Sequence, residues 1–279
     1  MIFNSLTFLT FLIFVLIFYW LSSLKGRLLT IFCSSLIFYG FWRIEFIPLL
    51  LFSCALDFFI ANKIPKQKSL VKKQLVLASI IINLTILFYF KYLIFFTNAS
   101  IDFLGIIGLD IDPIIYKMIL PLGISFYTFQ TISYTIDVYR ETIKPEKNFL
   151  VFGCYVIFFP QLIAGPILRA SEVIPQLLKR LDYNYNFIIS GIKKILIGLF
   201  LKVAMADNIS PLVDMGFNLP VNSLSALDVW TLSFLFGFQI YFDFSAYSYI
   251  AIGSALLLGI KFPENFMFPY MSISPRDFW

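Results

Sequence analysis

Long apolar runs with few charges constrain this chain more than any other feature of its sequence. Residues 3–21 and 75–96 are two of them, and each is long enough to cross a hydrocarbon core about 30 Å thick. Of the 279 residues, 60% are hydrophobic and only 13% are charged, so the surplus apolar surface must face lipid. We predict an all-α integral membrane protein, a multi-spanning bundle of about seven to nine membrane segments that forms one transmembrane domain over residues 1–279.

Basic residues in the short loops orient this bundle. The loop 62–73 holds five lysines and no acid, and the positive-inside rule therefore places it in the cytoplasm. Alternation from that loop puts residues 139–147 inside and the N-terminus outside. It also puts the loop 97–113 outside, with three acids and no basic residue: Asp102, Asp110 and Asp112. The sequence thus predicts a multi-pass protein of the cell membrane, inner or plasma, and its net charge of +5 does not indicate nucleic-acid binding.

The alternation fails in the next apolar segment, 149–168. If this segment crossed the membrane, the basic stretch 169–180 would lie outside. Within it, VIFFPQLIAGPI (156–167) carries two prolines, an amide and a glycine: Pro160, Gln161, Gly165 and Pro166. Proline disrupts helical hydrogen bonding, and irregular backbone at membrane depth survives only where protein or a water-filled cavity satisfies it. We therefore predict a re-entrant segment that faces the protein interior.

The rest of the chain contains one helix, one long apolar stretch and a tail. Residues 186–208 predict a helix, followed by a polar loop with Asp214 and Pro220. The stretch 224–259 is too long for one crossing without tilt, so we expect two helices or one broken helix. The tail, 261–279, is rich in proline and aromatic residues and is typical of an interfacial segment.

Polar residues recur on helical faces inside two of the apolar runs. The members of each set share one face: Tyr127, Gln130, Tyr134 and Asp137 in one run, and Gln239, Asp243 and Tyr247 in the other. An Asp at a helix centre costs about 2.5–3.5 kcal/mol on insertion, which favours a functional cavity around Asp243. For Gln130 and Tyr134, hydrogen bonding between helices is an equal alternative. Asp137 lies near Arg140, where we expect a surface ion pair, and Asp57 lies at the cytoplasmic end of its run, near an interface.

The sequence excludes several chemistries. The chain has no histidine, the commonest general base and metal ligand, and we predict no metal site. Phosphate-binding glycine loops, zinc spacings and nucleophile elbows do not occur. Two classes remain: a membrane-embedded enzyme with a polar tunnel, and a membrane transporter, which also uses broken helices and mid-membrane polar residues. A non-catalytic membrane scaffold is the third alternative.

Five segments resemble one family in matching order. They read LPLGISFYTFQTISYTIDVYR (120–140), FFPQLIAGPILRASEVIPQL (158–177), GLFLKVAMADN (198–208), FQIYFDFSAYSYIAIG (238–253) and FPENFMFPYMSISPRDFW (262–279). Together they are similar to the membrane-bound O-acyltransferase family, and most of all to its alginate O-acetyltransferase branch. The cell-wall D-alanylation transferase is a more distant cousin.

The resemblance implies a ring of transmembrane helices around a thin core with a tunnel. It implies transfer of an acyl group from a thioester to a hydroxyl across the membrane. The donor would be acetyl-CoA or an acyl-carrier thioester, with no bound cofactor, and the acceptor a polysaccharide or an acyl-relay protein outside the cell. Membrane lipid is the remaining partner. The tunnel-lining or substrate-positioning candidates are Gln130, Tyr134, Pro160, Gln161, Gly165, Pro166, Gln239 and Asp243.

The chain departs from the family pattern in two places. The family's catalytic histidine lies in a WRRWHIS-like motif directly after the segment that reads RDFW here, so we expect that histidine to lie beyond Trp279. We therefore expect a C-terminally truncated, N-terminal part of the fold that has no catalytic residue of its own and is inactive alone. A frameshifted gene and a degenerate homologue are the alternatives. In addition, Ala246 and Tyr249 stand where the family has glycine and an acid, so a family role does not carry over to position 249.

Overall fold

A computed structural model describes residues 1–107, 119–162 and 165–278. Every regular element in those residues is a helix, as the composition predicts. The α-helices are α1 (Leu6–Leu21), α2 (Leu24–Gly40), α3 (Ile47–Lys63), α4 (Ser69–Ile106), α5 (Ile124–Tyr139), α6 (Phe149–Ile157), α7 (Phe159–Leu162), α8 (Ala170–Leu177), α9 (Tyr185–Phe200), α10 (Asp207–Phe217), α11 (Ala226–Leu257) and α12 (Pro275–Phe278). A π-helical turn, Leu201–Ala206, joins α9 to α10.

Three helical stretches of the described chain are long and apolar enough to cross a membrane. They are Ile44–Lys66, Ser69–Ile106 and Ala226–Leu257, where the first includes the short 3₁₀ turns on either side of α3. Leu6–Leu21 and Phe149–Leu162 are shorter apolar helices. The all-helical, multi-spanning class is confirmed, while the number of seven to nine segments stays a prediction.

Helix α4 is longer than the sequence predicted. It has 38 residues and continues to Ile106, so the expected loop 97–113 is wrong over its first part and Asp102 lies on the helix. Thr97 and Ser100 donate their hydroxyls to carbonyls one turn earlier, which these side chains do without interrupting a helix. At about 1.5 Å per residue, α4 extends well beyond a hydrocarbon core. Asp110 and Asp112 lie outside the described residues.

Helix α11 is one continuous helix, so the expectation of two helices or one broken helix is wrong. Its 32 residues include no proline, and its start is fixed by a capping box between Ser225 and Asp228. It packs along α9 and α10, and those contacts support a helix longer than a single crossing requires. The expected polar loop before it is shorter than predicted, because Asp214 lies on α10.

Helices α9 and α11 approach each other through small residues. A Cβ atom on Gly191 would lie 2.8 Å from the Gly253 carbonyl oxygen, and one on Gly198 would lie 2.7 Å from the Ala246 carbonyl oxygen. Side chains larger than hydrogen at 191 and 198 would push the two helices apart. Ala246, which stands where the family has glycine, is accommodated because the residue that faces it on α9 is Gly198.

The segment 156–167 breaks where its prolines and glycine predict. Helix α6 ends at Ile157, the next residue Phe158 has a non-helical ψ of 114°, and the short α7 follows. The Phe159 N–H, freed by this break, donates to Ser35 Oγ on α2 at 3.0 Å. Tyr155 on α6 donates its hydroxyl to the Leu168 carbonyl at 3.1 Å, so the chain turns back beside α6 after the break. Residues 156–162, 165 and 166 are buried, which confirms the predicted interior location for these residues, whereas Ile167 is exposed.

Loops that are distant in sequence meet in the folded chain. Lys72 Nζ lies 2.9 Å from Glu141 Oε1, which joins the start of α4 to the loop after α5; residues 69–73 of the expected loop 62–73 are therefore helical. Arg27 on α2 donates to the Leu181 carbonyl at 2.5 Å. The basic stretch that follows the break therefore lies beside the start of α2.

Candidate functional site: a polar interior around the broken segment

The two glutamines of the predicted tunnel wall form a direct pair. Gln130 on α5 donates through Nε2 to the Tyr155 carbonyl at 2.9 Å, and Gln161 on α7 donates through Nε2 to Gln130 Oε1 at 2.5 Å. Both side chains are buried. Gln130 thus uses both ends of its amide to hold α6 and α7. Gln161 Oε1, in contrast, is buried without a hydrogen-bond partner among the described residues.

Tyr134 has a structural position rather than one that faces a ligand. Its hydroxyl accepts the Glu146 N–H at 2.8 Å, and its ring packs on Phe152 with centroids 4.6 Å apart. The Glu146 carbonyl also accepts from Asn62 Nδ2 at 2.8 Å. Tyr134 therefore fixes the loop between α5 and α6 to α5, and Asn62 fixes the same loop to the end of α3. For Tyr134, as for Gln130, the geometry favours the alternative of hydrogen bonding between elements.

Two tyrosine hydroxyls accompany Gln161 in the interior. Tyr127 lies one turn before Gln130 on the same face of α5, and its buried hydroxyl has no partner among the described residues. The buried hydroxyl of Tyr39 on α2 also has no partner among the described residues. Tyr39 lies one turn after Ser35, whose Oγ accepts from the Phe159 N–H at the start of α7. Since buried polar groups are nearly always hydrogen-bonded, the unpaired atoms of Gln161, Tyr127 and Tyr39 each have free capacity for a polar partner. The sequence reasoning missed Tyr39; its place four residues after Ser35 was the available signal.

The remaining candidates of the broken segment shape its backbone. Pro160 lies in the first turn of α7, where a missing N–H costs nothing. A Cβ atom on Gly165 would lie 2.5 Å from the Gln161 Cα atom, so only glycine fits this return of the chain. Pro166 follows it and is buried. These three residues position Gln161; residues 163 and 164 lie outside the described residues.

Asp243 on α11 forms an ion pair. Its Oδ1 atom lies 2.5 Å from Lys202 Nζ, and the same ammonium lies 2.9 Å from Asp207 Oδ1. Lys202 lies on the π-helical turn, a feature that often marks functional sites. The Asp243 side chain is 43% exposed in this structure. One turn earlier, Gln239 keeps Oε1 buried without a partner in the described part of the chain.

The predicted ion pair of Asp137 with Arg140 is wrong. The two side chains form no salt bridge within the described residues, and the Asp137 carbonyl instead accepts from the N–H and the hydroxyl of Thr142. Helix α5 ends there in a tight turn in which Glu141 has a φ of 61°.

The C-terminal tail folds back on α11. The Tyr270 hydroxyl donates to the Gly237 carbonyl at 2.7 Å, and Glu264 Oε1 lies 2.6 Å from Lys194 Nζ on α9. A cleft of about 720 Å³ opens between the tail, α11 and the end of the broken segment. Its lining includes Gly165, Tyr241 and Asp277. The break and the tail therefore border the same open space, a juxtaposition the sequence did not predict.

The last residue of the tail, Trp279, lies outside the described residues. The sequence predicts the family's catalytic histidine beyond Trp279, and residues 1–279 contain no histidine. The position of that histidine therefore stays a prediction, and no residue of the site is assigned as catalytic. The groups that the structure brings together around the break are candidates for positioning a substrate.

Asp57 is buried among the helices of the protein, while its predicted location near the membrane interface stays a prediction. Its carboxylate is fully buried between α3, α4 and α5. It accepts hydrogen bonds from Ser79 Oγ, from Asn83 Nδ2 at 2.7 Å and from Thr135 Oγ1 at 3.1 Å. The polar pair Ser79 and Asn83, four residues apart inside an apolar run, was the signal that could have located this network.

Fold and site together define a class: a helical membrane domain with a broken, buried segment and a polar interior beside it. Residues 146–279 match the model of the membrane-bound O-acyltransferase family, which confirms the resemblance and places this part of the chain in that family. The matched residues contain the break, the Lys202–Asp243 pair and the tail. Gln130 and Tyr134 precede them.

Relatives extend the similarity over the whole chain. The peptidoglycan O-acetyltransferase of Helicobacter pylori is 37% identical over 274 residues, which cover 88% of this chain and 51% of the relative. The probable alginate O-acetylase AlgI of Azotobacter vinelandii is 35% identical over 285 residues, which cover 100% of this chain and 56% of the relative. The teichoic acid D-alanyltransferase of Bacillus subtilis is 30% identical over 59% of this chain and 42% of the relative. The chain spans about half the length of the first two relatives.

Proposed function

We propose that this chain forms part of a membrane-bound O-acyltransferase that acetylates a polysaccharide of the cell surface or one destined for export. The observation that carries the proposal is the match of residues 146–279 to that family. Relatives at 35–37% identity named for acetylation of alginate and of peptidoglycan support acetate as the acyl group. The donor is a thioester, acetyl-CoA or an acylated carrier.

In this reaction a hydroxyl of the acceptor attacks the thioester carbonyl, the thiolate leaves, and a base takes the hydroxyl proton. The chain has no histidine, so we assign none of its residues as that base. We assign Gln161, Tyr127 and Tyr39 to positioning, because their free hydrogen-bonding groups lie in the interior beside the break. Pro160, Gly165 and Pro166 hold Gln161 in place.

The proposal includes an orientation in the cell membrane. The loops 62–73 and 139–147 lie in the cytoplasm, together with the basic stretch after the break, and the N-terminus lies outside. The contact of Lys72 with Glu141 supports this arrangement, since both residues lie in segments assigned to the cytoplasm. The contact of Arg27 with Leu181 supports it as well, since alternation from an outer N-terminus puts the start of α2 on the cytoplasmic side. The thioester then enters from the cytoplasm, and a polysaccharide or an acyl-relay protein receives the acyl group outside, with lipid around the bundle.

The test expresses the gene with its native downstream DNA in a host that lacks its own polysaccharide O-acetyltransferase. Acetate released from purified polysaccharide by mild alkali is measured, with the Helicobacter pylori relative as the positive control. We expect ester-linked acetate to return, and residues 1–279 expressed alone to release none. If the product of that gene gives no acetate where the relative does, the proposal fails. Substrate flux through liposomes that contain the purified chain would then favour a transporter.

A further inference from the structure

The buried carboxylate of Asp57 lacks a compensating charge. Its hydrogen bonds come from neutral donors, and no lysine or arginine contacts it in residues 1–107, 119–162 and 165–278. Asp57 lies on Ile44–Lys66, one of the membrane-length stretches. An ionised carboxylate in such surroundings is costly unless a positive charge accompanies it.

Unpartnered oxygens lie one helical turn from this carboxylate. Ser53 Oγ, on the same face of α3 as Asp57 and one turn before it, is buried without a partner among the described residues. Asn83 directs Nδ2 to Asp57 and to the Ser79 carbonyl, which leaves its buried Oδ1 free. Two independent acceptor atoms, on α3 and α4, therefore border the carboxylate.

The register of the three helices brings these oxygens to one side of Asp57. Helices α3 and α5 run parallel. Asp57 on α3 pairs with Thr135 on α5, and Asn62, which lies further along α3, pairs with Glu146, which follows α5. Helix α4 follows α3 through a short turn and runs back. Because α3 and α4 run in opposite directions, Ser53, one turn before Asp57 on α3, and Asn83, one turn after Ser79 on α4, lie on the same side of the carboxylate.

We propose that Asp57, Ser53 and Asn83 form a buried binding site for a small monovalent cation, Na⁺ or one of similar size. Hard cations take carboxylate, amide and hydroxyl oxygens as ligands, and these residues supply all three. A single carboxylate balances one positive charge, whereas a divalent ion would leave an uncompensated charge. This site differs from the sequence prediction of no metal site, because that prediction rested on the absence of histidine and of zinc-ligand spacings. It joins α3 to α4, and Asp57 also accepts from Thr135 on α5.

The experiment measures thermal unfolding of the purified chain in detergent by tryptophan fluorescence. NaCl, KCl and N-methyl-D-glucamine chloride are compared at equal ionic strength. Na⁺ at about 100 times its dissociation constant should raise the wild-type Tm by about 5 °C relative to the organic cation. Asp57→Asn and Ser53→Ala should lose at least half of this rise. Ser254→Ala, which removes a buried hydroxyl on α11, is the matched control and should retain it.

Ser53→Ala also guards against misfolding as an explanation. Its hydroxyl makes no hydrogen bond, so in the organic cation the variant should be at least as stable as the wild type. A response to K⁺ as well as Na⁺ supports the site provided that Asp57→Asn loses both. Equal Tm values in all three salts overturn the proposal, as does a rise that Asp57→Asn and Ser53→Ala retain. Because unfolding rather than acyl transfer is measured, this result is independent of the proposed function.

Discussion

Two acids on apolar helices of this protein are stabilised in opposite ways. Asp57 is fully buried, and neutral groups on two other helices donate to it. Asp243 is 43% exposed and pairs with the ammonium of Lys202 on the neighbouring π-helical turn. The first acid depends on hydrogen-bond donors from two other helices, which must both be in register with α3. The second depends on one opposite charge.

The difference predicts how strongly the loss of each carboxylate should reduce the stability of the fold. Removing the Asp57 carboxylate leaves several buried donors unpaired at once, and each such group costs free energy when it is desolvated. Removing the Asp243 carboxylate leaves Lys202 with its second partner, Asp207. The α3–α4–α5 region should therefore be the more sensitive of the two.

The largest effect is expected from Asp57→Leu. The variant should lose about 3–5 kcal/mol of unfolding free energy, because Ser79, Asn83 and Thr135 lose their common acceptor. Unfolding in mixed detergent micelles measures this difference. Asp102→Leu makes the same chemical change at an exposed position of α4 and should stay within about 0.5 kcal/mol of the wild type. Equal stability of the two variants would contradict the role given to Asp57.

A smaller effect is expected at the exposed acid. In a double-mutant cycle with Asp243→Asn and Lys202→Met, the coupling free energy should be about 0.5–1 kcal/mol, because Lys202 keeps Asp207 as a second partner when Asp243 is changed. The same unfolding measurement supplies the four stabilities. Strict additivity of the two substitutions would show that the pair contributes nothing. A coupling as large as the Asp57→Leu effect would remove the contrast between the regions.

The smallest effect is expected at the loop after α5. The hydrogen bond from Lys72, together with its charge, holds the pKa of the Glu141 carboxyl below its usual value of 4.5. A carboxyl whose pKa is lowered in the folded state stabilises the protein above pH 4.5. This stabilisation is lost as pH falls through the folded-state pKa. Between pH 7 and pH 3 the Tm of the wild type should therefore fall slightly more than the Tm of the Glu141→Gln variant. Identical losses in both would show that the pair does not stabilise the fold.

The interior position of 156–167 could be predicted because its cause is local. Prolines, an amide and a glycine at membrane depth require satisfied backbone groups, wherever the partners come from. The role of Tyr134 could not be predicted in the same way. Its spacing with Gln130 indicates a shared face, but whether that face meets a tunnel or a loop depends on where Glu146 lies.

The sequence by itself determined the helical membrane class, the break at the two prolines and the segments shared with the acyltransferase family. These follow from hydropathy, backbone chemistry and residue order, which are properties of short stretches. Only the tertiary structure decided that α11 is continuous, that Asp57 is buried and Asp243 paired, and that Tyr39 joins Gln161 in the interior. Each of those outcomes depends on a partner from a distant part of the chain, and the helix packing that brings the partners together is not a property of any single stretch.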